Sequence, residues 1–274
     1  MPVTAQDIVQ DTDVRAVLEE RTQEQYQFRR AYRDHDATGI NSGSFTFPEA
    51  TDNLRGAMDE VGEESDYPTT KLNYQGINAE YTKDGFMVIV TDEAVDDSAF
   101  DVIMDVMEEM AVGAEKRLDS LAWTGLDNNN NDTTIGSDGT DLNYEAVVDA
   151  YTTLFDDEFV PTDFELYVSA DGFGDLAKDD NFTHATDQGD QVVVQGELQM
   201  GFGVPVVPTN TGDLGDDEAM MVDTGRYGYE STRWDREVDS EYDFDKDATK
   251  YKIRHRKDFV VMKDQAAIFL QGGV

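Results

Sequence analysis

Residues 96–125, DDSAFDVIMDVMEEMAVGAEKRLDSLAWTG, decide how the rest of the chain is read. Phe100, Ile103, Met104, Met107, Met110, Ala111, Ala114, Leu118 and Leu121 recur at spacings of three and four, so one face of a helix is apolar throughout. Ser98 followed by Asp101 reads as a capping box with a shortened acid, and Gly125 just past Trp123 reads as the stop. About 25 residues at 1.5 Å each make a helix of roughly 37 Å, longer than compact domains usually employ. Its apolar stripe is expected to be buried. Its other face, Asp101, Asp105, Glu108, Glu109 and Asp119, is expected to meet salt, neighbours or a basic row.

The chain has 274 residues, enough for one large or two small domains. Sixty Asp and Glu against 21 Lys and Arg give a formal charge of -39. Such charge alone would suggest disorder, but 39% hydrophobic and 10% aromatic residues supply a core. The acids are spread along the length and lysine is scarce, a pattern suited to molar salt, where a Debye length of about 3 Å screens self-repulsion. The acidity is therefore ascribed to a salt-adapted surface before it is ascribed to metals or basic partners. The absence of cysteine excludes disulfides, thiolate metal sites and cysteine catalysis. No signal-peptide pattern and no apolar run near 18 residues is present, so no membrane partner and a cytosolic start are expected.

Taken in order, residues 1–44 read as an arm, with a thin helical stripe between Asp11 and Asp34 and a cluster of Arg29, Arg30 and Arg33. Ser44 to Phe47 reads as a short strand ending at Pro48, and Lys71 to Tyr81 as the return of a long flap. Phe86 to Val90 (FMVIV) is expected to be a buried strand feeding the helix. Beyond the polar run 127–140, Asn143 is expected to cap a helix from Tyr144 to Phe155. Strands are expected at Phe164 to Val168, Val192 to Val194, Gly203 to Pro208 and Ala219 to Asp223, with a short helix after Asp171.

Near the C-terminus, Glu237, Asp239, Glu241, Asp243 and Asp245 occupy alternate positions, as do Lys250, Lys252, Arg254 and Arg256. Period two on both sides means two strands, and an even-numbered turn near Lys246 to Ala248 would set the two rows opposite on one face, a charge zipper that fixes register. Phe259 to Met262 and Ala266 to Leu270 are expected to form a last strand.

Chemistry-bearing patterns are few. His35, His184 and His255 have no metal spacing, and no phosphate loop, dinucleotide fingerprint or serine elbow occurs. Asp127, Asn129, Asn131 and Asp138 stand at the first, third, fifth and twelfth positions of a calcium loop, but the sixth-position glycine is Asp132, so a solvated loop is the better reading. Asn131-Asp132-Thr133 and Asn181-Phe182-Thr183 match glycosylation sequons, which recur by chance.

The order of these parts resembles a major capsid protein of the Hong Kong 97 type, the shell protein of tailed viruses of bacteria and archaea. The resemblance is carried by residues 56–125, where an acid-rich TDE…DDS turn precedes the long "spine" helix, by FELYVSADGFGDLA (164–177), by GELQMGFGVPVVPTNTG (196–212) and by YKIRHRKDFVVMKDQAAIFL (251–270). It implies an α+β fold with an N-terminal arm (1–44), an extended loop or flap (45–84), a peripheral domain (85–125 and 236–274) in which the apolar stripe of the long helix packs on the C-terminal strands, and an axial domain (126–235). It further implies homo-pentamers and homo-hexamers closing an icosahedral shell around double-stranded DNA in a virion assembled in the host cytoplasm. Portal, scaffolding and cement proteins are the implied partners, and a halophilic archaeal virus the implied source. No enzymatic activity, catalytic residue, metal or cofactor is expected. Some members lock the shell by an isopeptide bond from a loop lysine to a peripheral asparagine. Here the flap offers Lys71 and residues 236–274 contain no asparagine, so a non-covalent shell is expected. The chain lacks the long N-terminal scaffolding segment of some members, so either a separate scaffold or an already trimmed chain is expected, and Met1 favours the former. The alternatives are an encapsulin-like nanocompartment of the same fold and, remotely, a halophilic metal-dependent enzyme using the 127–138 loop.

Overall fold

The computed structural model describes residues 27–40, 42–50, 61, 67, 69–98, 101–127, 134–137, 139–156, 163–179, 203–209 and 213–273. A 3-10 turn, Phe28–Ala31, leads into β1 (Tyr32–Asp36), β2 (Ser44–Ala50), β3 (Tyr74–Glu80) and β4 (Asp84–Thr91). Short helix α1 (Asp92–Asp96) and long helix α2 (Val102–Asp127) follow, then β5 (Thr134–Ile135), α3 (Tyr144–Asp156), β6 (Phe164–Val168) and α4 (Ala170–Lys178). The chain continues through β7 (Val206–Pro208), β8 (Glu218–Asp223), β9 (Gly228–Asp243) and β10 (Ala248–Val261), and after a 3-10 turn at Asp264–Ala266 it reaches β11 (Ala267–Gln271). The class is α+β. The strands make a four-stranded sheet ordered β1-β9-β10-β4, a five-stranded sheet ordered β5-β11-β8-β6-β7, and the β2-β3 hairpin.

Helix α2 links two cores. Its first half lays Met107, Met110, Ala111 and Ala114 on Val90, Tyr251 and Ile253 of the four-stranded sheet, as the stripe requires. Its second half places Ala122, Trp123 and Leu126 in a larger core with Phe28, Tyr32, Leu166, Tyr167, Met221 and Ile268. Each fully buried side chain of this size contributes about 1.5–3 kcal/mol, so both contacts are substantial.

The ends of α2 differ from expectation for local reasons. Asp101, not Ser98, is the cap: its carboxylate accepts the Ile103 and Met104 N–H groups at 3.2 Å each, while the Ser98 hydroxyl donates to the Val95 carbonyl at the end of α1. Phe100 lies outside the described residues. Gly125 does not stop the helix, which runs on to Asp127. It is glycine because the Tyr32 hydroxyl, donating to the Ala122 carbonyl at 2.9 Å, occupies the space a Cβ would need.

Four other expectations change. The helical reading up to Asp34 gives way to a strand, because Tyr32 to Asp36 pairs in parallel with Gly228 to Thr232 of β9; residues 11–26 lie outside the described residues. Strand β2 runs through Pro48 to Ala50, since a two-stranded ribbon has an outward edge on which a missing N–H costs no ladder bond. The FMVIV run is buried only in part: β4 is an edge strand covered by α2 on one face, where Val90 enters the core, while Phe86, Met87 and Ile89 are 41%, 53% and 49% exposed. The last strand is two strands in different sheets, divided by the turn at Asp264–Ala266, so β11 hydrogen-bonds between β5 and β8 rather than beside β10. The expected elements at 144–155, 164–168, after 171, and within 203–208 and 219–223 are present. Asn143 caps α3, its carbonyl oxygen accepting the Ala146 N–H at 2.9 Å. The expected strand at 192–194 lies outside the described residues.

The charge zipper forms. Glu241, Asp239 and Glu237 stand opposite Lys250, Lys252 and Arg254, and Asp243 pairs with Ala248 across the four-residue turn Phe244 to Asp247. Arg256 leaves the row, because register shifts on either side of it set it opposite Trp234.

Candidate assembly surfaces

The end of the arm is fastened into the body by buried charge. Arg29, just before β1, donates to Glu115 of α2 at 2.7 Å and in bidentate fashion to Glu230 of β9 at 2.8 and 3.0 Å. Arg236 also pairs with Glu115, and Lys257 of β10 pairs with Glu230 at 2.8 Å. Burial alone would raise the Glu230 carboxyl, but Arg29 and Lys257 outweigh it and hold it below the ordinary value. Beside this network the fully buried Asp119 accepts the Phe28 N–H at 2.9 Å, standing in for the cap that Gln27 does not provide. Burial raises the Asp119 carboxyl to about 7, against the opposing hydrogen bonds from Phe28 and Arg29. Asp119 therefore does not belong to the exposed acidic face on which helical periodicity places it. The base of the arm covers the flank of α2 next to Leu118.

The hairpin β2-β3 is anchored at its base. The Glu80 N–H donates to Asp258 at 2.7 Å, Arg256 Nε donates to the Tyr81 carbonyl at 2.9 Å, and the Tyr81 and Ser231 hydroxyls meet at 2.7 Å. Phe45 and Phe47 pack round His35, whose ring lies 4.9 and 4.7 Å from theirs. His35 is thus a packing residue bonded to the Ser231 hydroxyl at 2.9 Å. His255 is 3% exposed, and burial, only partly offset by Asp84 4.0 Å away, lowers it to about 4, so it is neutral at pH 7.

On the outer face of the four-stranded sheet the zipper pairs are Lys250–Asp243 at 2.7 Å, Lys252–Asp239 at 2.9 Å and Arg254–Glu237 at 2.8 Å. The hydrogen bond from Lys252 holds Asp239 low, the bond from Lys250 does the same for Asp243, and Lys250 is raised in return. These exposed pairs set register more than they add stability. Next to the basic row Met87 and Ile89 of β4 stand in the open. Phe244, at 84% exposed, tips the hairpin.

The calcium-like spacing is not assembled into a described site: Asp127 is the last residue of α2, and Asn129, Asn131 and Asp138 lie outside the described residues, as do His184 and both sequon asparagines. Asp141, Asp175 and Asp217, far apart in sequence, bring carboxylate oxygens within 4.8 Å of one another, and Asp175 also pairs with Lys178 at 3.1 Å. Sequence spacing gives no hint of this trio. Nor does it reveal the Arg29 network, for which the one available sign is that Glu115 and Asp119 flank Leu118 at a helical interval of four.

Comparison with known proteins bears on what these surfaces serve. No curated protein matches the chain. Among solved structures it is similar to that of Mycobacterium phage Che8, with 13% identity over 90% of this chain and 91% of the other and a TM-score of 0.71. The capsid structure of cyanophage P-SCSP1u matches with 10% identity over 90% and 88% and a TM-score of 0.71. A virus-like particle from Pyrococcus furiosus matches with 12% identity over 95% and 98% and a TM-score of 0.61. At such identities the likeness is one of fold. A family model described as phage capsid protein matches residues 79–269, from the end of β3 to β11. The chain belongs to the phage capsid protein family, and its place is the capsid of the virion.

Proposed function

We propose that this chain is the major capsid protein of a tailed, double-stranded DNA virus, with a Hong Kong 97-type subunit. Copies associate into pentamers and hexamers that close an icosahedral shell, with portal, scaffolding and cement proteins as partners and the genome held without sequence recognition. The observation that carries this is the family match across residues 79–269, on a fold shared with the cyanophage capsid over nine-tenths of the chain. In this reading residues 1–44 are the arm, 45–84 the flap, 85–125 and 236–274 the peripheral domain and 126–235 the axial domain. β11 would then cross from the peripheral stretch into the axial sheet. The role is structural, and no catalytic step is assigned to any residue. The charge of -39 fits a shell assembled at high salt, as in a halophilic host. Negative-stain microscopy of particles from the native source tests the reading. Tailed heads with nuclease-protected DNA are expected. Small protein-loaded shells would turn it into a nanocompartment, and a chain that never associates would end it.

A further inference from the structure

Two exposed aromatic rings, each set in charge of opposite sign, stand at the two ends of β4. The strand pairs with β10 alone among the described strands, so its outer edge is open. Near its start Phe86 is 41% exposed, and its ring lies over Gly113, where a Cβ would sit 3.3 Å from the ring's Cζ. Lys83 lies three residues before Phe86, and Lys116 and Arg117 follow Gly113 by one helical turn; all three are exposed. Arg117 Nε is held at 3.2 Å by Asp84, while Lys83 and Lys116 make no ion pair among the described residues. In a chain with 60 acids and 21 lysines and arginines, three cations near one exposed ring, set against Asp84 and Glu109, are a local excess of positive charge.

At the other end Thr91 pairs with Ala248, beside the turn that carries Phe244. That ring is 84% exposed and packs edge-on against Tyr242, with centroids 4.9 Å apart. Asp243 and Asp245 flank it in the chain and Asp247 closes the turn, with Asp243 paired to Lys250 at 2.7 Å. Asp92 joins them, because the Tyr242 hydroxyl donates to Asp92 at 2.6 Å and the Asp92 N–H donates to the Asp247 carbonyl at 2.9 Å, and the next residue, Glu93, is exposed. Lys246 is the one cation of the turn.

The two surfaces cannot meet within one subunit. Seven residue steps separate Asp84 from Thr91, which at about 3.3 Å each is roughly 23 Å along a hydrogen-bonded ribbon. Each nevertheless offers what the other lacks: an apolar ring to cover and charge of the opposite sign to fix orientation. We propose that the acidic Phe244 tip of one subunit seats on the Phe86, Lys83, Lys116 and Arg117 patch of a second copy. Because the contact joins two different surfaces, it is heterologous and runs head to tail, closing into a ring when the rotation between copies permits. The proposal rests on the capsid reading above and adds to it the surfaces that meet.

The test is a charge exchange in the full chain, assembled at the lowest salt concentration at which the unmodified chain forms shells and followed by sedimentation and microscopy. The tip variant is Glu93→Lys with Asp245→Lys, and the patch variant is Lys83→Glu with Lys116→Glu; all four side chains are exposed, and the Arg117–Asp84 pair is left intact. Unchanged unfolding midpoints establish that each variant is folded, and Phe244→Ser serves as an independent tip variant. Each reversed pair is expected to raise the subunit concentration needed for assembly by about tenfold, and the four-fold combination to restore it to within about threefold of the original. Shells that form from the reversed variants at unaltered concentration, or a combination no better than its parents, would overturn this contact while leaving the capsid reading intact. Failure of the unmodified chain to associate would remove both.

Discussion

Replacing Asp119 with asparagine should change the pH dependence of stability more than stability itself. The side chain is fully buried, one oxygen holds the Phe28 N–H, and the other has no hydrogen-bond partner among the described residues. Its carboxyl is raised from 3.8 to about 7, chiefly by burial. A carboxyl raised on folding binds its proton more tightly in the folded state. The folded state is then least penalised below pH ~4, loses stability as pH rises, and carries the whole penalty above pH ~7. At 1.36 kcal/mol per pK unit, a separation of roughly three corresponds to ~4 kcal/mol, of which roughly 3 kcal/mol falls between pH 4.5 and 8.5. Asp119→Asn keeps an acceptor for Phe28 but cannot ionise, at a fixed cost of about 1–2 kcal/mol for an amide N–H without a partner. Guanidinium unfolding of dissociated subunits at the two pH values, in which the denaturant salt also screens the surface charge, gives the variant-minus-parent difference. That difference should move in favour of the variant by roughly 3 kcal/mol on going to pH 8.5. A difference that stays flat with pH would show that Asp119 is ionised throughout, satisfied by the N–H groups of Phe28 and Arg29, and would refute the reasoning.

Arg29→Met removes the side chain shared by Glu115 and Glu230; because Arg236 and Lys257 remain, unfolding should show a loss near the lower end of the range for a broken buried pair, about 3 kcal/mol. Gly125→Ala should destabilise by about 2 kcal/mol in thermal unfolding despite alanine's better helix propensity, since its Cβ collides with the Tyr32 hydroxyl, and adding Tyr32→Phe should recover most of the loss. Assembled particles should fall apart on dialysis from molar salt to dilute buffer as repulsion among subunits of charge -39 returns, and heating them in detergent should give a single monomer band on a gel, because residues 236–274 contain no asparagine to accept a lysine cross-link.

What could be read from the chain alone was whatever a period displays. The alternation of acids and bases through 237–245 and 250–256 states both the strands and their register, and the structure sets Glu237, Asp239 and Glu241 opposite Arg254, Lys252 and Lys250, while Asp245 falls in the turn and Arg256 leaves the row. The stripe on α2 likewise shows which face is buried, and Asn143 announces its helix. Where a residue's surroundings come from distant segments, periodicity is silent. Asp119 has the spacing of a surface acid and becomes buried because Phe28 arrives from 91 positions away. FMVIV has the composition of an interior strand and lies at an edge, because composition does not say how many neighbours a strand has. Gly125 resembles a helix stop but answers to Tyr32. For assembly surfaces the limit is the same: Phe244 and Phe86 look like any other phenylalanine until the fold leaves both uncovered.

The place of β11 affects how the subunit can be made. It lies inside the five-stranded sheet, between β5 and β8, so that sheet stays split until residues 267–271 have left the ribosome and reached it. Until then the partner edges of β5 and β8 are open, and Ala267, Ile268 and Leu270 are missing from the larger core. Pairings of such long sequence separation form slowly and leave an aggregation-prone intermediate while they do. A nascent or prematurely ended chain therefore presents an unfinished sheet rather than a near-complete tile. Synthesis of residues 267–271 thus sets the moment at which the five-stranded sheet can close.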